Sequence, residues 1–136
     1  SWMTMIDRGA TTIWEMWDGM DENGKAHFSL NHFSLGSVIS FMHTHIAGIR
    51  LGWDSPAYRR FRIEPVPGGD LTWARARLDS PYGPIESEWR ITGDERFELQ
   101  VTVPSGTAAD IRLPDGQVEA ARPGRWRFNC DLKATE

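Results

Sequence analysis

The sequence predicts a mainly β fold, with an antiparallel β-sandwich over its C-terminal part preceded by a shorter helical region. Two observations carry this. The hydrophobic period changes from about 3.6 to 2 between Trp53 and Arg60. Beyond that change, short alternating runs are separated by turn residues with no helical pattern between them, as an antiparallel sandwich requires. A chain of 136 residues, 40% hydrophobic and 25% charged, is globular in composition and can bury one modest core.

Taken in order, Trp2 to Arg8 reads as the tail of a helix stopped by Gly9. Thr11-Thr12-Ile13-Trp14 is β-branched and aromatic and favours an extended segment, while Asp21-Glu22-Asn23-Gly24-Lys25 is loop chemistry. Leu35, Val38, Ile39, Met42, Ile46 and Ile49 then fall on one helical face, predicting a helix from about Asn31 to Ala47. Ser29 or Asn31 can cap its start and Gly48 can end it. The alternation of Ile85, Ser87, Trp89 and Ile91 with Glu86, Glu88 and Arg90 marks a strand, as does that of Phe97, Leu99, Val101 and Val103 with polar neighbours. Further strands are expected at Arg60 to Glu64, Leu71 to Leu78, Ala109 to Leu113, Gln117 to Ala120 and Arg125 to Cys130. Turns fall at Pro67-Gly68-Gly69-Asp70, Ser80-Pro81-Tyr82-Gly83, Thr92-Gly93-Asp94, Pro114-Asp115-Gly116 and Pro123-Gly124. Trp73, Trp89 and Trp126 sit in strand patterns and are expected to pack in the core; an aromatic row on the surface would instead indicate carbohydrate binding.

Fifteen basic against 19 acidic residues give a net charge of -4, which lacks the electrostatic footprint of a nucleic-acid binder. Thirteen of the basic residues are Arg, interleaved with Glu and Asp along the strands, and read as a solvated face. No apolar run reaches the roughly 18 to 20 residues that span a bilayer, so no membrane partner is expected. The lone Cys130 excludes an intrachain disulfide and a cysteine zinc site, leaving the compartment open with a lean towards the reducing cytoplasm. The opening Ser1-Trp2-Met3-Thr4-Met5-Ile6 has no signal-peptide pattern, and lies inside an apolar pattern as expected of a piece of a longer protein.

All four histidines, His27, His32, His43 and His45, precede the sandwich. On a helix His43 and His45 point roughly 200° apart, and His32 and His43 are about 16 Å apart along the axis, so they cannot grip one ion. No metal and no cofactor is expected; His27, His43 and His45 read as satisfied or solvent-facing, and His32 stays open. The informative cluster is Thr11-Thr12-Ile13-Trp14-Glu15-Met16-Trp17-Asp18. Two indoles flanking a carboxylate suit sugar chemistry, since indole faces cover C–H surfaces while a Glu handles protons. Aromatic core residues beside a solvated Glu account for the same residues. Asp18 reads as a turn residue rather than a group orienting Glu15.

The run Gly9-Ala10-Thr11-Thr12-Ile13-Trp14-Glu15, followed by Asn31-His32-Phe33, Gly36-Ser37-Val38 and Ala47-Gly48-Ile49, resembles the final barrel segments of the bacterial α-L-rhamnosidases. Tyr58 to Pro65, Pro67-Gly68-Gly69, Leu71 to Ala76, Ser80-Pro81-Tyr82-Gly83 and Glu88-Trp89-Arg90 continue it in family order, so the resemblance covers nearly the whole chain. It implies that residues 1–53 end an (α/α)6 catalytic barrel and that residues 54–136 form the C-terminal sandwich. It also implies inverting hydrolysis of a rhamnose-containing glycoside, in which one carboxyl protonates the glycosidic oxygen and another activates water. Glu15 falls at the family's general base and His32 at a histidine lining the sugar pocket. Trp14 and Trp17 become candidates for the pocket wall or its supporting shell. The general acid is expected in earlier barrel segments, and Met16 stands where an Arg or another polar residue is expected in many relatives. Without its barrel neighbours the helix is expected to cover its apolar face on the sandwich or on a second copy of the chain. The competing reading is a non-catalytic carbohydrate-binding or interaction sandwich with the helices as a linker.

Overall fold

The computed structural model describes residues 1–52, 55–93 and 95–132. The chain divides into two compact units, Ser1–Ser40 and Phe41–Glu136. The expected divide after Trp53 lies outside the described residues.

In the first unit, helix α1 (Trp2–Asp7) ends at Gly9, whose φ of +77° no other residue type adopts as readily. Beyond Gly9 this unit is a set of loops laced by hydrogen bonds. Residues 11–14, expected to be extended, form no strand: the chain bends at Thr11 and Thr12 and pairs with no strand of a sheet. The expected loop at 21–25 closes with a bridge between Met20 and Ala26, its tip held by Asp21 Oδ1 accepting the N–H groups of Asn23 and Lys25 at 2.9 and 2.8 Å.

The expected helix from Asn31 to Ala47 is shorter and irregular. It begins as a 3₁₀ turn (Leu35–Ser37), becomes a single α-helical turn, α2 (Val38–Phe41), and widens to a π turn (Met42–Ile46) closed by Ala47 N–H donating to the Met42 carbonyl. Composition explains this: Ser34, Gly36, Ser37 and Ser40 are weak helix formers, and Ser37 spends its hydroxyl on the Ser34 carbonyl at 2.7 Å. Ile39, Phe41 and Met42 stay exposed, while Ile46 rests against the sandwich core. Ile49, assigned by its period to the helical face, belongs instead to a strand.

The second unit contains β1 (Ile49–Leu51), β2 (Arg60–Ile63), β3 (Trp73–Ser80), β4 (Gly83–Thr92), β5 (Arg96–Val103), β6 (Ala108–Arg112), β7 (Val118–Ala121) and β8 (Gly124–Asp131). They form two four-stranded sheets, ordered β1-β2-β6-β7 and β3-β4-β5-β8. Every pair is antiparallel except β2 with β6, which run parallel because the β3-β4-β5 meander intervenes and returns the chain in the same sense. The inward-facing residues of both sheets make one core, with Phe61, Ile63, Ala109 and Ile111 from one and Ile85, Trp89, Phe97, Leu99 and Val101 from the other.

Of the three strand tryptophans, Trp89 is fully buried as expected, 5.7 Å from Phe97 ring to ring. Trp73 and Trp126 are not. Trp73 pairs with Arg90 on the outward face and is 66% exposed. Trp126 lies opposite Val101, but β8 is an edge strand and the ring is 39% exposed, its Nε1 donating to the Arg122 carbonyl at 2.8 Å.

The turn from Ile46 to Gly48 is fixed to the sandwich by side chains. Trp89 Nε1 donates to the Ile46 carbonyl and Ser87 Oγ to the Ala47 carbonyl, both at 2.7 Å, satisfying acceptors that the end of a helical turn leaves free. Arg50 donates to the Thr44 carbonyl and, with Arg62, converges on Glu64 Oε2 at 3.0 and 3.1 Å. Gly48 is required here: its φ is +79°, and a Cβ would lie 2.2 Å from the Pro65 nitrogen.

Candidate functional site

Glu15 stands where two segments of irregular chain run side by side. Its N–H donates to the Ser29 carbonyl at 2.9 Å, His32 N–H donates to the Ile13 carbonyl at 2.8 Å, and Thr12 Oγ1 donates to the Leu30 carbonyl. Residues 14 and 18 positions apart in sequence are thereby placed on neighbouring segments. The Glu15 carboxylate is half-buried, and its Oε2 accepts the Ser29 N–H at 3.2 Å. Its other oxygen has no hydrogen-bond partner among the described residues. A carboxylate tethered by one oxygen and open at the other has the form of a proton acceptor.

His32 is also half-buried, and its orientation is set locally. Ser34 N–H donates to Nδ1 at 3.2 Å, and the Ser34 hydroxyl lies 3.0 Å from the same nitrogen. An Nδ1 that accepts leaves the proton of the neutral ring on Nε2, which is then a donor for an oxygen outside the chain. The ring stacks on Phe33 at 5.1 Å.

The two indoles separate. Trp14 is 2% exposed and presents no face to a ligand. Trp17 is 38% exposed and meets the Trp2 ring edge-on at 5.0 Å, while Trp2 Nε1 donates to the Leu35 carbonyl at 3.0 Å. Asp18 occupies the turn closed by Gly19 N–H and the Met16 carbonyl at 3.1 Å, and makes no hydrogen bond with Glu15 among the described residues. Met16 is exposed.

His27 and His45 make local contacts. His27 Nε2 lies 3.4 Å from Asp21, whose carboxyl is held below its ordinary value chiefly by the Lys25 N–H, against the opposing effect of burial, with smaller lowering by the Asn23 N–H and His27. His45 meets Thr44 Oγ1 at 2.9 Å and stacks on Phe41. Sequence reasoning misses Ser29, Ser34 and Trp2. Residue type assigns Ser29 to a helix cap, whereas it meets Glu15 through its backbone, for which no side-chain pattern speaks.

Two concavities are prominent: one of about 410 Å³ beside Asp21 and His27, and one of about 620 Å³ on the outer face of the β3-β4-β5-β8 sheet. Glu15 and His32 line neither.

Residues 48–125 match the family model described as the bacterial alpha-L-rhamnosidase C-terminal domain, and residues 1–46 that described as the bacterial alpha-L-rhamnosidase 6 hairpin glycosidase domain. An alpha-L-rhamnosidase of Formosa agariphila is 36% identical over 135 residues, covering 94% of this chain and 14% of that protein. One of Streptomyces avermitilis is 39% identical over 118 residues, 84% of this chain and 11% of that protein. Among solved structures, the native rhamnosidase of Aspergillus terreus superposes on all of this chain with a TM-score of 0.83 and 34% identity, over 16% of its own length. The Streptomyces avermitilis enzyme complexed with L-rhamnose gives 0.80 and 34% over 96% of this chain and 15% of its own. The chain thus spans about a seventh of the length of these proteins.

Proposed function

The chain belongs to the bacterial α-L-rhamnosidase family, and from that premise we propose that it is the C-terminal part of an enzyme that removes terminal α-L-rhamnosyl residues with inversion, Glu15 being the general base. In this reading the first residues, up to about position 53, complete an (α/α)6 barrel, with β1 already paired into the sandwich that buttresses it. The observation that carries the proposal is the state of the Glu15 carboxylate, oriented through Ser29 and unengaged at its second oxygen.

The free oxygen of Glu15 takes a proton from a water poised against the anomeric carbon, while the Ser29 N–H holds the other oxygen in place. His32 offers Nε2–H to a sugar hydroxyl, and Trp17, with its exposed face, is the wall for the C–H surface of the ring. Trp14 holds the segment bearing Glu15 from beneath. The general acid comes from the remainder of the barrel, about 6.5 to 9.5 Å from Glu15, leaving room for one water as inversion requires. The L-rhamnose bound in the Streptomyces avermitilis relative supports this class of substrate.

The test is Glu15→Gln in the full-length enzyme, which keeps shape and hydrogen bonding but cannot accept the proton. With an aryl α-L-rhamnoside, kcat is expected to fall by at least about 10², and added azide, which needs no base, to restore turnover with inverted product. A Gln variant within about threefold of the parent, or a retained configuration, sinks the assignment. The 136 residues alone, with one carboxylate of the pair, are expected to leave the substrate intact.

A further inference from the structure

The outer face of the β3-β4-β5-β8 sheet carries two cross-strand rows, Arg75–Glu88–Gln100–Arg127 and Arg77–Glu86–Thr102–Arg125. Each row has an arginine on both edge strands and hydrogen-bonding groups between. Four strands at about 4.8 Å spacing set the opposed arginines about 14 Å apart, and the rows lie about 7 Å apart along the strands. The face is concave, enclosing about 620 Å³.

The charges on this face are unevenly matched. Glu86 is engaged by Arg77 at 3.5 Å and by the Thr102 hydroxyl at 2.8 Å, and Glu88 by Arg90 at 3.4 Å. Arg77 also meets Asp79 at 2.9 Å. Arg75, Arg125 and Arg127 have no acidic partner among the described residues. In a chain of net charge -4, this concavity is a positive trough with its carboxylates already neutralised.

We propose that this trough binds an acidic glycan, its uronate carboxylates held by Arg75 and Arg127 and its hydroxyls by Gln100 and Glu88. A guanidinium fork matches a carboxylate with two parallel hydrogen bonds, and free arginines on opposite sides of the trough suit a ligand that carries such a group at intervals. The floor offers polar donors and acceptors rather than apolar pockets, which suits a polyhydroxylated chain better than a peptide. The choice of a glycan rests on the proposed glycosidase function. It extends that function by giving the sandwich a ligand of its own, so that the enzyme would be held on rhamnose-bearing polymers that also contain uronic acids.

Calorimetric titration of the chain with an oligogalacturonate at low salt tests this. Saturable binding is expected, absent with a neutral maltooligosaccharide of equal length. It should weaken at least about tenfold in Arg75→Gln/Arg127→Gln, which removes one fork on each side of the trough. Raising the salt from about 0.02 to about 0.5 M should weaken the parent similarly, a readout that does not depend on the variant folding. No binding, equal binding of the neutral sugar or of an acidic peptide, or indifference to both the variant and salt overturns the proposal. Turnover of an aryl α-L-rhamnoside by the full-length enzyme separates the two proposals: the Arg variants should leave it unchanged, and only its loss in Glu15→Gln bears on the catalytic one.

Discussion

The two units of this chain are ordered by different means. Phe41–Glu136 is built on a continuous core running from Ile49 to Cys130, in which both sheets contribute fully buried aliphatic and aromatic side chains. Ser1–Ser40 buries Met5 and Trp14 as its large side chains among the described residues, leaving Met3, Ile6 and Phe33 exposed, and is held by loop hydrogen bonds. The first mode satisfies itself within the chain. The second leaves large apolar side chains exposed. The candidate base sits in the unit with little core, so its geometry is set by backbone hydrogen bonds such as those of Ser29, while the sandwich supplies a self-supporting body.

If that contrast is right, the largest effect belongs to the sandwich core. Trp89→Ala removes a fully buried indole and its bond to the Ile46 carbonyl, and should cost about 3 to 5 kcal/mol in urea unfolding of the second unit. A loss under about 1 kcal/mol would mean that this core is not what holds the unit. Gly48→Ala comes next, because the added methyl enters backbone space at Pro65 and the residue must keep a positive φ. About 1 to 3 kcal/mol is expected, together with altered amide signals at Glu64, which donates to the Gly48 carbonyl.

The smallest effect sharpens the other side of the comparison. Asp21 has its carboxyl value lowered on folding of the loop, so its contribution is present above the unfolded value of 3.8 and fades as pH falls through the lower folded one. The Lys25 and Asn23 amide signals should therefore hold steady down to about pH 4 and shift only below it, with the sandwich signals unmoved. A shift that begins well above pH 4 would mean that a group other than Asp21 sets the loop's order.

Much of this architecture is written locally. The strands from Arg60 onward are legible because alternation and turn residues are short-range signals, and α1 and its Gly9 stop are legible for the same reason. The buried inner face of β4 follows from Ile85, Ser87, Trp89 and Ile91 alone. The irregular helix is less so: its apolar spacing is a true helical pattern, but serines and Gly36 lower helix propensity, and Ile49 shares the period while belonging to β1. Trp73 and Trp126 escape the pattern because a period of two tells which residues share a face, and not whether an edge strand or an outer row leaves that face open.

The candidate site divides in the same way. The sequence by itself determined that Glu15 is flanked by indoles and that His32 lies on a segment resembling a sugar-binding one, since residue types and order suffice for that. Only the tertiary structure decided that Ile13–Glu15 runs beside Ser29–His32, that Trp14 is buried while Trp17 is open, and that β2 and β6 pair in parallel. It alone brought arginines from β3 and β8 to opposite sides of one trough. Each depends on contacts between residues far apart in the chain, and such contacts are selected by the free energy of burying a whole face together, a quantity that no local pattern contains.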